Sequence, residues 1–429
     1  MLNSGSSSIK YAAFETRGMR PLLRGELERI GEPGATLTQT VTAADGTARP
    51  TSRRVSAPSH REAFRDVVAA IAAAPDGAER IDGVGHRVVH GGDRYVAPVV
   101  VDDAVVAAIG DAAALAPMEN PANLLGIREV REWRPGLPQV AVFDTWFHRT
   151  LPPRAYRYAL PHEAFPEHPV RRFGFHGTSH DYVSRAAAAA LGRPRQELRM
   201  ITLHLGSGAS ACAVLHGESV DTSMGMTPLE GLMMGSRPGD LDPGAVAYLS
   251  RVAGLATGDV ERMLYERAGL RGVCGHSDMR RVHELADAGD PDAGLALDMY
   301  CYRARKYVGA YSAAMDGLDA LVFTGGVGQR DPVVRERVCE GLGFLGVTLD
   351  EAGNRAPGED ATRISADGAP VAVLVVPTDE ELEIARHTAM LLRPDETTAE
   401  EPTPEEERSW DRQRARERRP RGRRPRPVR

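Results

Sequence analysis

Met200-Ile-Thr-Leu-His-Leu-Gly206-Ser-Gly208-Ala-Ser210 is the stretch whose reading decides the fold. Met200–Leu205 is an apolar run of strand length, Gly206–Gly208 is a glycine-rich turn, and Ala211–Leu215 is a second apolar run. The pattern predicts a strand, a tight loop and a strand. Glycines in such a loop leave backbone N–H groups free to face an anion, and Ser207 adds a hydroxyl donor. The chain continues to Gly231-Leu-Met-Met-Gly-Ser-Arg237-Pro-Gly-Asp-Leu-Asp242-Pro. Arg237, held among glycines and prolines, carries a planar donor fork suited to a phosphate or a carboxylate. Taken singly, a plain glycine hairpin and a surface arginine explain the two halves equally well, so the rest of the chain has to decide.

The N-terminus has a similar arrangement. Asn3-Ser-Gly-Ser-Ser-Ser-Ile-Lys10 reads as a loop and Ile9–Phe14 as the strand after it. Its amide, hydroxyls, backbone donors and single ammonium suit a phosphoryl group in transfer, whose charge is spread over three oxygens. The G-x-x-x-x-G-K-[ST] spacing of a Walker A loop is absent, and a mobile serine-rich terminus is the bland alternative. Only Met1 and Leu2 precede the loop. The strand expected there is therefore either truncated or begins upstream. Lys10 is one of two lysines (with Lys306) among 53 basic residues, which favours a need for lysine at that position.

Between these stretches strands and helices alternate. Ser59-His-Arg-Glu62 is a capping box ahead of the apolar face Phe64, Val67, Val68 and Ile71. Ile81–Val89 reads as a strand, and Arg87 sits there in a run dense in Gly and His, from Gly85 to Gly92. Val140–Phe143 is a strand with Asp144 at its carboxyl end, where open α/β sheets place ligand-contacting residues. His176 and His180 precede an alanine-rich helix closed by Gly192. Their spacing invites a zinc reading, but Gly177 and the missing H-E-x-x-H pattern favour a histidine that faces a developing anion. Leu295–Met315 is a long helix, Ala320–Phe323 a strand, Gly325-Gly-Val-Gly328 a loop, Val371–Val376 a strand and Glu380–Leu392 a final helix. Asp144 and Glu380 are carboxylates of the kind that hold Mg²⁺ beside phosphates. Arg87 and Arg237 are the candidate anion clamps. The alternation gives an α/β class, and the recurring small-residue loops suggest two related halves around a nucleotide cleft.

Composition narrows the function classes. No apolar run reaches the roughly 18 residues of a membrane helix, and the start lacks the basic and apolar regions of a signal peptide. Cys212, Cys274, Cys301 and Cys339 match no zinc or redox spacing, so a reduced, cytoplasmic setting is the simplest. The net charge is −6, yet Arg408–Arg429 alone holds 11 Arg against Asp411 and Glu417, a surplus of +9 that leaves −15 for the rest. An acidic body argues against nucleic-acid binding by the folded part. Residues 393–429 read as a disordered tail, acidic and then basic.

Together these motifs resemble one family, the acetate and propionate kinases. Asn3–Lys10, Gly85–Gly92, Asn120-Pro-Ala-Asn-Leu-Leu-Gly126, Phe143-Asp-Thr145, Phe147-His148, Arg171–His180, His204–Ser210, Asp221–Asp242, Phe323–Gly328 and Pro377–Leu382 follow in the family's order, from Met1 to about Leu392. The resemblance implies a two-domain fold of the actin, Hsp70 and sugar-kinase (ribonuclease H-like) type. It implies an N-terminal domain over 1–146, a nucleotide-binding domain over 147–381, and a helix, 382–392, returning to the first. The implied reaction is reversible transfer from ATP to acetate, giving acetyl phosphate and ADP, with Mg²⁺ (Mn²⁺ in its place) in a homodimer. Arg87 and Arg237 would hold the carboxylate and the phosphoryl group, and His176 with Arg237 would stabilise the in-line transition state. Asn3, Asp144 and Glu380 would position the metal or the reactants. Val89, Met118, Phe175 and Pro228 would form the acyl pocket. Lys10, Ser6 and Ser8 would line the phosphate path. His204, Leu205, Gly206, Ser207, Gly208, Asp278, Met279, Arg280, Gly325, Gly326, Val327 and Gly328 would contact the nucleotide.

The sequence departs from the family's usual residues at Glu119 (His), Trp146 (Ala), Ser207 (Asn) and Gln329-Arg330 (Glu-Asn). Glu119 adds negative charge near an anionic substrate, and the Trp146 ring is expected to crowd the cleft. The alternatives these departures raise are a kinase preferring propionate or butyrate, and a nucleotide-binding homologue with impaired transfer.

Overall fold

The computed structural model describes residues 1–5, 7–42, 47–74, 81–161 and 170–393. No helix among them is long and apolar enough to cross a membrane. Two sheets carry the architecture. The first has strands β1 (Leu2–Ser4), β2 (Ser8–Glu15), β3 (Arg20–Glu28), β4 (Thr36–Thr42), β5 (Ala48–Arg54), β6 (Val84–Val88), β7 (Val99–Val100) and β8 (Gln139–Phe143), ordered β5-β4-β3-β2-β1-β6-β8-β7. The second has β9 (Arg199–Leu205), β10 (Ala209–Leu215), β11 (Glu218–Thr222), β12 (Ala320–Thr324), β13 (Thr362–Arg363) and β14 (Ala372–Val375), ordered β11-β10-β9-β12-β14-β13.

Within each sheet the same five-strand unit appears. In the first, β3-β2-β1 form an antiparallel meander, then β6 lies parallel to β1 and β8 parallel to β6. In the second, β11-β10-β9 form the meander, then β12 lies parallel to β9 and β14 parallel to β12. The two related halves expected from the sequence are present as this shared order. Parallel strands need both faces covered, which is why β8, β12 and β14 read as near-continuous apolar runs.

Three apolar layers result. Leu2, Ile9, Tyr11 and Leu27 of the first sheet bury Phe64 and Val67 of the helix His60–Ala72. Ser59 caps that helix by accepting from the Glu62 N–H, as the capping box predicts. Between the sheets, Val142 and Phe143 meet Met200, Val322 and Leu374, with Val183 and Ile384 from helices Gly177–Ala190 and Glu380–Leu392. The far face of the second sheet packs Leu321 and Phe323 with Tyr300 and Val308 of the helix Pro291–Ala314. Strand alternation puts Val322 in one layer and Phe323 in the other. Helix Glu380–Leu392 lies against β2, β6 and β8 as well as helix Gly177–Ala190.

Several boundaries differ from the sequence reading. Asn3 and Ser4 belong to β1, and Ser8–Lys10 belong to β2, so the expected loop shrinks to a hairpin tip. Short as it is, β1 gains ladders on both sides, which a local reading of a Gly/Ser run cannot foresee. Gly325–Gly328 is helical: the helix Gly325–Arg330 leaves β12 directly through Gly325 at φ +77°. A Cβ at Gly325 would lie 2.6 Å from the Leu205 carbonyl oxygen, so glycine is required there. Ser6 and the tail beyond Arg393 lie outside the described residues.

Phe323 is fully buried in the outer layer. Phe323→Ala is expected to destabilise the protein by about 3–5 kcal/mol, read as a lowered urea midpoint at unchanged slope.

Candidate active site

The site is built at the carboxyl ends of β6 and β8. Arg87 on β6 lies opposite Val142 on β8, two residues before Asp144. Its Nε and Nη2 donate to Asp144 Oδ1 and Oδ2 at 2.8 and 2.6 Å, a two-pronged contact. Asp144 is 1% exposed. Its backbone is committed as well: its N–H donates to the Val88 carbonyl, and its own carbonyl accepts from the Gly177 N–H at 2.8 Å. A Cβ at Gly177 would collide with that carbonyl, so this residue must be glycine. Glu380, the first residue of its helix, places Oε2 3.9 Å from Arg87 Nε.

Across from this pair stand two stacked imidazoles. His176 and His204 have ring centroids 4.3 Å apart at 26°. His176 caps the helix Gly177–Ala190 with φ +56°, a left-handed backbone that is costly for a residue with a Cβ and persists only where contacts over-determine it. The contacts here are the His204 ring and a 2.9 Å hydrogen bond between Ser210 Oγ and His176 Nδ1. A Cβ at Gly208 would sit 3.6 Å from His176 Nε2 and 3.9 Å from Arg237 Nη1. The glycine turn therefore lies between the histidine and the arginine. Arg237 Nη1 also donates to the Pro228 carbonyl at 3.3 Å, and its guanidinium lies 5.7 Å from the Tyr265 ring centre.

The three expected nucleotide segments converge on this turn. Gly235 N–H donates to Ser207 O at 3.2 Å, and a Cβ at Gly235 would lie 3.0 Å from the Ser277 carbonyl. A Cβ at Gly206 would lie 4.0 Å from the Gly326 N–H nitrogen. Ser207 and Gly326 are exposed; Leu205 and Gly328 are buried, and Val327 is half-buried against the core. Asp278 caps the helix Met279–Asp287 and pairs with Arg280, both exposed, whereas Met279 points into the core.

Among the expected acyl-pocket residues, Val89 and Phe175 share one apolar cluster with Ala116, and Pro228 is buried beside Arg237. Met118 stands apart, 52% exposed. Asn3 pairs across the hairpin with Lys10. The Lys10 ammonium is 3.5 Å from Glu26, on a face it shares with Arg24 and Glu381. Ser8 is half-buried opposite Glu28. The Trp146 ring does not crowd the cleft: it is buried in the layer between the sheets, edge-on to His387 at 4.6 Å and with the Arg149 guanidinium 5.0 Å from its centre.

Sequence reasoning missed the hydroxyls that aim these groups. Ser210 bridges His176 and His180, and Ser179 bridges His204 Nδ1 (2.8 Å) and Thr378 Oγ1 (2.9 Å). Asn123 joins the ends of β1 and β6, accepting from the Val89 N–H and donating to the Ser4 carbonyl. Only strand parity offered a hint: Ser210 and Thr202 alternate with core residues. A separate cluster, Asp181, Glu383 and His387, has metal-like spacing. Its carboxylates are taken by Arg185 and Arg195, so it serves as an ion-pair bridge between two helices.

Burial dominates the electrostatics. It works against the Arg87 charge, but Asp144 and then Glu380 outweigh it, and the guanidinium is held charged. Burial raises the Asp144 carboxyl above its ordinary range despite Arg87. Burial likewise raises Glu119, against the pull of Arg237 and Arg87. His176 is lowered well below 6.5, first by burial and then by His204 and Arg87. His204 is lowered mainly by burial. Both imidazoles are neutral near pH 7, so they can donate to an anion without being cations.

Comparison with known proteins supplies the context. The model of the acetokinase family matches residues 1–386. The acetate kinase of Leifsonia xyli is 52% identical over 390 residues, covering 90% of this chain and 96% of that protein. Among solved structures, the Porphyromonas gingivalis acetate kinase superposes with a TM-score of 0.83 at 42% identity, covering 91% of this chain and 98% of that one. A propionate kinase from Francisella tularensis superposes at 0.82 with 38% identity, covering 90% and 97%.

The buried histidines make stability pH-dependent in one direction. Burial lowers His86 to about 3 and His90 and His148 to about 4, and lowers His176, His180 and His204 as well. Below pH 6.5 the unfolded chain binds protons that the folded chain refuses, so unfolding becomes favoured. Stability is expected to be full above pH 6.5 and to fall steadily as pH drops towards 4. A urea midpoint that stays flat between pH 7 and 4.5 would contradict this.

Proposed function

This chain belongs to the acetokinase family and is an acetate kinase in function, and we propose that it transfers the phosphoryl group from ATP directly, in line, to the carboxylate of acetate. The observation that supports this is the glycine turn flanked by His176 Nε2 and Arg237, with Arg87, held by Asp144, near enough to act on His176. Transfer of this kind needs positioning and charge neutralisation and no covalent intermediate.

In this reading Arg237 and Arg87 hold the acyl carboxylate and the phosphoryl group. Val89, Phe175 and Pro228, with Met118 at the rim, enclose the acyl chain. His176 donates from Nε2 to an equatorial phosphoryl oxygen, where negative charge must be stabilised. Gly206–Gly208, Asp278–Arg280 and Gly325–Gly328 receive the nucleotide, with Lys10, Ser6 and Ser8 along the phosphate path.

The family acts on ATP with a divalent metal ion. The residues present fit one. Glu380 is only partly exposed, and among the described residues its carboxylate has just the 3.9 Å contact to Arg87. Its carboxylate, with the amide oxygen of Asn3, would offer oxygen donors of the kind that suit Mg²⁺ or Mn²⁺ over softer ions. When bound, the ion neutralises phosphate charge.

The division into units 1–146 and 147–381, with residues 382–392 returning to the first, accompanies this reading, as do a homodimer and a cytoplasmic location. The four cysteines are all free thiols, consistent with a reducing compartment.

Purified protein with Mg²⁺, ATP and acetate should give acyl phosphate trapped as hydroxamate. No product from acetate, propionate or butyrate would overturn the assignment. His176→Ala and Arg237→Ala should each lower kcat by about 10²–10³. The kcat/KM ratio of acetate to propionate decides the acyl preference, since one methylene is worth about 1–3 kcal/mol in an apolar pocket.

A further inference from the structure

Four side chains form a continuous hydrogen-bonded line from the buried body of β9 to the glycine turn. Thr202 Oγ1 is 2.7 Å from His180 Nδ1, His180 Nε2 is 2.7 Å from Ser210 Oγ, and Ser210 Oγ is 2.9 Å from His176 Nδ1. Thr202, His180 and Ser210 have no exposed surface. The line ends at His176 Nε2, 3.6 Å from where a Cβ of Gly208 would stand.

With neutral rings, the protons in such a line can run in either direction, and a third arrangement, in which Ser210 accepts from both rings, leaves its buried hydroxyl hydrogen with no acceptor among the described residues. In one direction, Thr202 donates to His180 Nδ1, His180 Nε2–H donates to Ser210, and Ser210 donates to His176 Nδ1. His176 then carries its proton on Nε2, facing the turn. In the other, every bond reverses: His176 Nδ1–H donates to Ser210, Ser210 to His180 Nε2, and His180 Nδ1–H to Thr202. The Thr202 hydroxyl hydrogen is then left over. Among the described residues Thr202 Oγ1 has no other hydrogen-bond partner. The reverse arrangement therefore strands a fully buried hydroxyl donor, which native interiors avoid. It also turns a lone pair of His176 towards the place where phosphate oxygens would gather.

We propose that Thr202 is a positioning residue that acts through His180 and Ser210 to hold His176 in the Nε2–H tautomer before substrate arrives. This rests on the assignment of His176 to the transferring phosphoryl group. Burial keeps His180 and His176 neutral, so the line transmits tautomer and not charge. A hydroxyl four residues before the glycine turn thereby does for this histidine what a buried carboxylate does in a catalytic triad, without adding negative charge beside anionic substrates.

The test uses the full chain labelled with ¹⁵N-histidine, its His176 signals assigned with His176→Gln. In the unsubstituted protein, free of substrate, His176 should show protonated Nε2 and unprotonated Nδ1. Thr202→Val, which keeps the side-chain shape, should give a mixed or reversed tautomer. Its kcat should fall by about tenfold or more, a fraction of the effect of losing the donor outright, with KM for ATP and acetate within about twofold. Thr202→Ser should restore both readouts. A Nδ1–H tautomer in the unsubstituted protein overturns the proposal. So does a Thr202→Val protein with kcat unchanged, or with kcat reduced while the tautomer stays pure, since the latter is a purely structural effect. If Thr202→Val does not fold, the unsubstituted spectrum and the Thr202→Ser kinetics still decide. The spectrum needs no turnover, so this proposal can fail while the kinase assignment stands, and the reverse.

Discussion

Arg87 and Asp144 meet through two hydrogen bonds between the ends of neighbouring parallel strands, and Asp144 is out of water. Removing Arg87 would leave Asp144 buried without its partner, which costs several kcal/mol. The pair is thus fixed in place, and other groups take their positions from it. The Asp144 carbonyl receives the first N–H of the helix that His176 caps, so the imidazole is placed from the same carboxylate residue that orients Arg87. Glu380 approaches the outer edge of Arg87 from the helix that returns across β6 and β8. Rigid strand ends, with loops reduced to single glycines, hold the geometry within the narrow tolerance that positioning catalysis requires.

The charges of the site are balanced before any ligand binds. Arg87 faces Asp144 and Glu380, Arg237 acts on Glu119, which burial biases towards its neutral form, and the buried His176 is disfavoured as a cation. In the proposed reaction a polyphosphate and a carboxylate together would bring several negative charges into this space. Two arginines, one of them already engaged by Asp144, cannot offset them alone. The need for a divalent cation follows from that imbalance, and so does the value of neutral donors. A protonated His176 would add a charge, but its burial next to His204 and two arginines disfavours it.

Much of this was legible in the chain. Fully buried strands announce themselves as short apolar runs, and the glycine turn, Arg237, Asp144 and the cap of helix Gly177–Ala190 all stand at run boundaries. Gly325–Gly328 misled because three glycines argue for a loop by propensity, whereas packing under Leu205 makes the segment helical. The β1 strand was hidden because its pairing partners are remote in sequence. Trp146 looked like an intruder in the cleft because adjacency to Asp144 in sequence says nothing about which side of the turn a side chain takes. Ser210 and Thr202 were invisible as site residues, since a hydroxyl among core residues reads as a satisfied polar group until its partner is known to be a histidine.

The shared five-strand order explains how one topology holds two kinds of chemistry. In both halves the carboxyl ends of the parallel strands face the cleft, as open α/β sheets require. In the first half those ends carry Arg87 and Asp144, side chains that grip by charge. In the second half β12 ends in Thr324-Gly325-Gly326, where the absence of side chains lets backbone approach backbone. β14 ends in the short link to Glu380, which reaches back to Arg87. Charged side chains can be selective for a small anion but would crowd a bulky nucleotide. Bare glycine backbone accommodates phosphates through N–H groups but distinguishes little among small acids. In the proposed assignment, one solution at each copy of the same strand ends would let a nucleotide and a small carboxylate meet at the turn that His176 and Arg237 flank.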